Sequence, residues 1–469
     1  MLAIFAVLFT TLRLEYMCSA TQQYRGYSLL RFPTVTTDWL DQIEADSLAL
    51  NNANVINFLE TKRILVDIWA KPNMYRNHAD VLVAPEYLDS FLALLRMRDI
   101  SDIQIVANDI QKEIDRERRD LAYAMKYRSR RSVSNNSLAN FNLIAYHRYD
   151  EIVDYLRKLS RLHPNLVEIF NITKTYEGRD LIGIKIGSRS SFKPAIFIDA
   201  GIHAREWIAP AVALYIITKL VTEYQKDSNL THMIDKFDWY IVPVANPDGY
   251  EYSMTTDRLW RKTRSRNVTV NKWCVGADAN RNWGYRWGEA GANRSPCSNI
   301  YPGSTAFSEV ETAGIRDFIT YQILDLKVYV SLHSYGQLFL APWGYTNDRP
   351  NNYYDQKQAA SLAVEAIRKR TGAKYDYGTI SELMYRASGT SIDYMQDKGV
   401  PYIYGIELRP EDADNNFGFT IPARFIEPTA NIFSGQMVTS ALALDKYVPF
   451  LDMSESIVGI IPKVSTVRL

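Results

Sequence analysis

The stretch Ala195-Ile196-Phe197-Ile198-Asp199-Ala200-Gly201-Ile202-His203-Ala204-Arg205-Glu206-Trp207 runs from an apolar segment into a glycine turn carrying a histidine and a carboxylate. A short run this apolar, closed by glycine, reads as a strand buried on both faces, as in parallel sheets. Trp239-Tyr240-Ile241-Val242-Pro243-Val244 and Leu326–Leu332 read the same way. Helical patterns occupy Tyr149–Arg161, Pro210–Tyr224, Glu309–Tyr321 and Asp355–Lys369. This alternation predicts an α/β domain, with helices on both faces of a central mixed, largely parallel sheet. Sites in such sheets gather beyond the carboxyl ends of strands, which is where His203 and Glu206 follow Asp199.

Upstream the pattern differs. Residues 21–131 read as a small α+β module, with strand-like runs at Tyr27–Phe32, Ile64–Ile68 and Asp80–Val83. Helical patterning covers Trp39–Leu48 and Glu86–Met97, and a charged, helix-prone connector covers Ile110–Tyr127. The cluster Arg128-Ser129-Arg130-Arg131 then meets a polar stretch from Ser132 to Ser137. Such a junction suits a protease acting at basic sites, with cleavage after Arg131; a solvated charge run is the alternative. Met1–Thr11 is apolar and is followed by the small residues Cys18-Ser19-Ala20, so residues 1–20 read as a signal peptide. The run is too short to span a bilayer. The expected segments are therefore 1–20, 21–131, a main domain over 132–451 and a tail over 452–469.

The 54 Lys+Arg against 53 Asp+Glu give no reason to expect nucleic acid or an anionic membrane as partner. Loss of Cys18 with the signal peptide would leave Cys274 and Cys297, an even number suited to an oxidising, extracellular compartment. A bridge between them would contribute about 3 kcal/mol through the unfolded state; two buried thiols are the alternative. Sequons at Asn135, Asn171, Asn229, Asn267 and Asn293 are compatible with export.

His203 and Glu206 can converge on one metal ion from a tight turn, although a histidine and a carboxylate at that spacing are more often a surface pair. A third ligand is available in His333, within Val330-Ser331-Leu332-His333-Ser334-Tyr335 at a strand end. A hydrogen-bonded core histidine is the bland alternative. Two His and one Glu, with the fourth position left to water, form a catalytic zinc set, and it is the set of known zinc carboxypeptidases.

Further motifs follow in order: Asn246-Pro247-Asp248-Gly249-Tyr250, Trp260-Arg261-Lys262, Asp278-Ala279-Asn280-Arg281-Asn282-Trp283, Tyr385-Arg386-Ala387-Ser388-Gly389 with Ser391-Ile392-Asp393, and Ile406-Glu407-Leu408-Arg409. With the Gly201–Trp207 run and the His333 segment, they resemble the A/B-type zinc metallocarboxypeptidases made as zymogens. The resemblance covers residues 21–450. It implies one zinc per chain on His203, Glu206 and His333, and a disulfide between Cys274 and Cys297. It also implies that residues 21–131 form an inhibitory prosegment.

The roles it implies fit the chemistry. Glu407 would take a proton from water and deliver it to the leaving amine, work worth about 10²–10⁴ in rate. Arg261 would stabilise the oxyanion. Arg281 would bind the free C-terminal carboxylate of a peptide or protein substrate as a bidentate fork, aided by Asn280 and Tyr385. Arg205, Ser334 and Tyr335 would contact substrate further along. Asp278 would orient His203 from behind, with local capping as the competing role. Ile392 falls where the family's specificity residue lies, with Ile380, Met384, Ala387 and Leu340 as an apolar wall and Gly405 enlarging the pocket. This implies A-type preference for aromatic and aliphatic C-terminal residues. A one-residue shift onto Asp393 would give B-type preference for Lys and Arg, and an inactive peptide-binding relative is the remaining alternative. The chain departs from the family pattern after Arg409, where Pro410–Phe419 is longer than the usual loop; the resemblance therefore gives Phe419 no role.

Overall fold

A computed structural model describes residues 23–34, 39–40, 42–43, 65–72, 77–131, 141–188, 192–267, 269–270, 274–410 and 417–432. The expected signal peptide, the C-terminal tail and most of the helical pattern at Trp39–Leu48 lie outside these residues.

In the N-terminal module, β1 (Ser28–Pro33) lies between β3 (His78–Val83) and β4 (Gln104–Ala107), and β2 (Val66–Ala70) pairs with β3. All three pairings are antiparallel. Leu30, Phe32, Val81 and Val83 pack against Phe91 and Leu95 of α1 (Leu88–Met97). The connector forms α2 (Ile110–Arg131), longer than expected. The basic cluster Arg128–Arg131, expected to follow the connector, therefore forms its last turn.

The main domain is built on an eight-stranded sheet. Its centre is β7 (Ala195–Ala200), buried at every position. It pairs in parallel with β8 (Asp238–Val242) and β9 (Leu326–Ser334), and β9 pairs in parallel with β12 (Tyr402–Leu408). Beyond this parallel centre, β6 (Asp180–Ile186) and β5 (Val167–Lys174) add antiparallel on one side. On the other, β10 (Leu338–Ala341) runs antiparallel to β12 and carries β11 (Asp376–Thr379) in parallel.

One face packs on α3 (Tyr149–Leu162), α4 (Ile208–Glu223), α5 (Ser228–Lys236) and α8 (Tyr353–Thr371). The sheet's other face packs on α7 (Val310–Gln322), α9 (Ile380–Leu383) and α10 (Ser391–Asp397). The expected helices are present, each with bounds shifted by one or two residues. A short helix, α6 (Pro247–Thr255), starts on Asn246, whose side chain accepts from Gly249 N–H.

The turn after β7 positions the site, and its backbone is tied on both sides. Ala245 N–H donates to Ala200 O, Ala204 N–H to Arg261 O, and Asn246 Nδ2 to Ile202 O. Gly201 has φ +65°, and a Cβ there would lie 2.9 Å from Pro210 Cγ. A side chain is disfavoured by both backbone and space. Gly201→Ala is expected to cost about 1–3 kcal/mol, read as a lower urea midpoint with unchanged slope.

Candidate functional site

His203 and Glu206 leave the turn after β7, and His333 comes from the end of β9, the neighbouring strand. His203 Nδ1 lies 2.8 Å from Glu206 Oε1, and His333 Nδ1 lies 3.2 Å from both His203 Nδ1 and Glu206 Oε2. All three residues are buried. Two ring nitrogens facing each other and a carboxylate converge on one point. A divalent cation there would satisfy all of them, so the donor set fits a zinc site. Among the described residues it is the one group of three or more such side chains that converges this closely.

The outer nitrogens of both rings are also held. His203 Nε2 meets Asp278 Oδ1 at 3.1 Å, and His333 Nε2 meets Ser331 Oγ at 3.0 Å. Glu206 Oε2 accepts Ser334 N–H at 3.2 Å. Burial would raise the Glu206 carboxyl, but His203 and His333 outweigh it and hold it well below the usual carboxylate range.

Asp278, fully buried, joins the parts of the site. Oδ1 also accepts Asn280 N–H at 2.9 Å, capping the 3-10 turn Ala279–Arg281. Oδ2 accepts from Arg261 Nε at 3.1 Å and Nη2 at 2.8 Å. Orienting His203 and local capping, alternatives in the sequence, both occur. Burial opposes the charge on Asp278, but Arg261, His203 and Arg281 keep its carboxyl far below the ordinary value. Arg261 Nη1 is left facing Glu206 Oε1 at 3.9 Å.

Arg281 donates to Gly291 O, Asn280 O and the Tyr385 hydroxyl. Asn280 Oδ1 is fixed by Ser391 N–H. Glu407, on β12, lies in register with His333 on β9. Thus His203, Glu206, His333, Arg205, Arg261, Asn280, Arg281, Ser334, Tyr335, Tyr385, Ile392 and Glu407 all line one cavity, with Asp278 behind it. Arg131 and the disulfide do not. Cys274 and Cys297 are bonded, with Cα atoms 5.0 Å apart.

At one end the cavity is apolar, lined by Leu340, Ile380, Met384, Ala387, Ile392 and Gly405. A Cβ on Gly405 would lie 2.4 Å from Ile392 Cδ1, so a residue with any side chain there would displace Ile392. Asp393 turns away. Its carboxylate accepts Gly344 N–H at 2.8 Å and Tyr345 N–H at 3.0 Å. Burial nevertheless raises its pKa to about 7.

The N-terminal module also lines the cavity, with Ile68, Trp69 and Ala70 of β2 and Lys71 just after it. Asp67 forms a buried ion pair with Arg205 at 2.7 Å and accepts from Asn299 Nδ2 at 2.9 Å. The Trp69 ring packs edge-on against Phe419, 5.0 Å between centroids. Phe419, given no role by the sequence, is buried and lines the cavity. The Tyr335 hydroxyl donates to Asp80 of β3. Glu117 of α2 forms a buried ion pair with Arg258, whose Nη1 donates to Arg205 O at 2.8 Å.

Asp67, Trp69, Glu117, Asp199 and Ser331 were not singled out from the sequence. The available signal was an acid inside an apolar strand, as at Asp67 and Asp199, since such a carboxylate must find partners.

Residues 152–433 match the family profile described as zinc carboxypeptidase, and residues 50–117 match that of the carboxypeptidase activation peptide. Zinc carboxypeptidase A 1 of Drosophila melanogaster is 34% identical over 444 residues, 93% of this chain and 96% of its own. Carboxypeptidase B of Astacus astacus is 42% identical over 305 residues, 65% of this chain and 98% of its own. The crystal structure of carboxypeptidase A from Helicoverpa armigera superposes with a TM-score of 0.76 at 27% identity, covering 90% of this chain and 99% of its own. The fold is that of these enzymes, zinc is the cofactor, and the activity is removal of C-terminal residues from substrate chains by an enzyme made as a zymogen, whose own propeptide is removed by proteolysis. The buried His203–Glu206–His333 cluster and the module across its cavity are thus those of a member of the M14 zinc carboxypeptidase family that carries the family's activation peptide.

Proposed function

We propose that the activated enzyme releases aromatic and aliphatic C-terminal residues, the A-type preference, with zinc on His203, Glu206 and His333. The observation that carries the specificity is the apolar cavity end at Ile392, with the Asp393 carboxylate spent on two backbone N–H groups elsewhere. An apolar side chain buried there gains about 1.5–3 kcal/mol. A lysine or arginine would be desolvated without a partner.

The roles follow from what each group can reach. Zinc, when bound, supplies the positive charge that acidifies water and polarises the scissile carbonyl. Glu407 takes the proton from the attacking water and passes it to the leaving nitrogen. Arg261 keeps its orientation through Asp278 and turns Nη1 toward the developing oxyanion. Arg281 receives the substrate carboxylate, joined by Tyr385 and Asn280. Arg205, Ser334, Tyr335 and Phe419 meet residues further from the scissile bond.

In the precursor those groups are engaged by the prosegment. The Asp67 carboxylate holds Arg205, Trp69 covers Phe419, and Asp80 holds the Tyr335 hydroxyl. A long peptide cannot enter while they stay. We assign the prosegment to residues 21–131 and its release to a trypsin-like protease cutting after Arg131. Residues 1–20 direct export, which the Cys274–Cys297 bridge supports. Among the described residues no helix is long and apolar enough to cross a membrane.

Glu407→Gln is expected to keep its zinc and lower kcat by about 10²–10⁴; metal analysis beside peptide hydrolysis checks it, and near-native turnover would remove Glu407 from its role. Trypsin treatment should yield an enzyme beginning at Ser132, read by N-terminal sequencing, and the uncut precursor should be nearly inactive on peptides. On peptides differing only in their last residue, kcat/KM should be roughly a hundredfold or more higher for Phe or Leu than for Lys or Arg, the consequence of several kcal/mol of unpaired charge. Faster release of Lys or Arg would overturn the A-type reading.

A further inference from the structure

Behind His333 lies a buried chain of hydrogen bonds. Tyr329, Ser331 and His333 alternate along β9, so their side chains share one face of the sheet. Asp199 of β7 stands in register with Ser331. The Tyr329 hydroxyl donates to Asp199 Oδ2 at 2.5 Å, and the Ser331 hydroxyl donates to Asp199 Oδ1 at 2.7 Å. Ser331 Oγ lies 3.0 Å from His333 Nε2. Asp199, Tyr329 and Ser331 are each at most 1% exposed, so the network is shielded from bulk solvent.

We infer that Asp199 and Ser331 are positioning residues that fix the tautomer of His333 and thereby the strength of the third zinc ligand. The reasoning is a count of protons. Both Asp199 oxygens receive a hydroxyl, Oδ2 from Tyr329 and Oδ1 from Ser331, so the carboxylate accepts twice. Ser331 has one hydroxyl proton, and Asp199 takes it. Ser331 Oγ then faces His333 as an acceptor. The ring proton must sit on Nε2, which leaves the Nδ1 lone pair turned toward His203 and Glu206. Were Ser331 free to donate to Nε2 instead, the proton would move to Nδ1 and the ligand atom would be blocked. His203 is fixed in the same sense by Asp278, directly rather than through a hydroxyl. The inference rests on the proposed assignment of His333 as a zinc ligand.

The test is zinc affinity of the activated enzyme by chelator competition, well below its thermal transition, with melting of the metal-free protein measured alongside. Ser331→Ala removes the acceptor and is expected to weaken zinc by about 10–100-fold. Asp199→Ala leaves Ser331 in place but frees its proton, so the loss should be at least as large. Ser331→Thr keeps the hydroxyl and should restore most of the affinity. Tyr329→Phe leaves the Ser331–Asp199 bond and should change affinity least. A merely structural role would lower the melting temperature and leave affinity alone. Folded Ser331→Ala protein holding zinc within about threefold of wild type would overturn the inference; if Asp199→Ala fails to fold, Ser331→Ala, which loses one oxygen atom, still decides. A His333→Ala enzyme that holds zinc as well as wild type would overturn the ligand assignment and the inference with it.

Discussion

The site depends on one buried carboxylate. Asp278 accepts from His203, Arg261 and Asn280 N–H at once, and these three lead to the proposed zinc site, the proposed oxyanion site and Arg281, proposed above to hold the substrate carboxylate. A buried charge is tolerated only when paired and hydrogen-bonded. Here the pairing also sets geometry. With one oxygen on His203 and the other on Arg261, movement of Asp278 would disturb both together. This is the economy of a rigid site: one desolvated group orients several working ones.

The same constraint applies where the N-terminal module meets the main domain. Arg205 is nearly fully buried in the precursor, so its guanidinium needs a carboxylate beside it. Asp67 supplies one from β2, the edge strand of the N-terminal sheet, whose residues Ile68, Trp69 and Ala70 line the cavity. Glu117 and Arg258 repeat the arrangement further along α2. Removing one partner of such a buried pair would leave the other charge buried and unpaired, at a cost of about 3–5 kcal/mol. In the activation proposed above, a cut after α2 would leave these pairs to compete with water and with substrate.

Much of this was legible in the sequence. The apolar run at Ala195–Asp199, the spacing of strands and helices, and the turn with His203 and Glu206 gave the sheet and the position of the site. Those signals are local: a strand buried on both faces must be apolar, and a tight turn needs a glycine. What was not legible is non-local. Asp67 meets Arg205 across two modules, and Asp199 meets Ser331 across two strands, so neither pair has a spacing that marks it. The extent of α2 was underestimated because a dense run of basic residues reads as a solvated linker, although Arg is a good helix former and favours a helix C-terminus. Phe419 was obscured for another reason. Its loop departs from the familiar length, yet length does not decide where an aromatic ring packs, and Phe419 still meets Trp69 and Arg205.

The neighbours Ile392 and Asp393 show how finely the backbone divides chemistry. They are consecutive in the first turn of α10, about 100° apart around its axis. The turn is anchored by the Thr390 side chain, which accepts Asp393 N–H, and by Asn280, which accepts Ser391 N–H. With both ends of that turn held, rotation by one residue is not available. Ile392 faces the cavity and meets the space left by Gly405, while Asp393 faces the backbone of Gly344 and Tyr345. The Gly344 carbonyl in turn receives Ala387 N–H, and Ala387 is part of the apolar wall. Asp393 is therefore part of the frame around the apolar lining, with its carboxylate on the Gly344 and Tyr345 N–H groups rather than in the cavity.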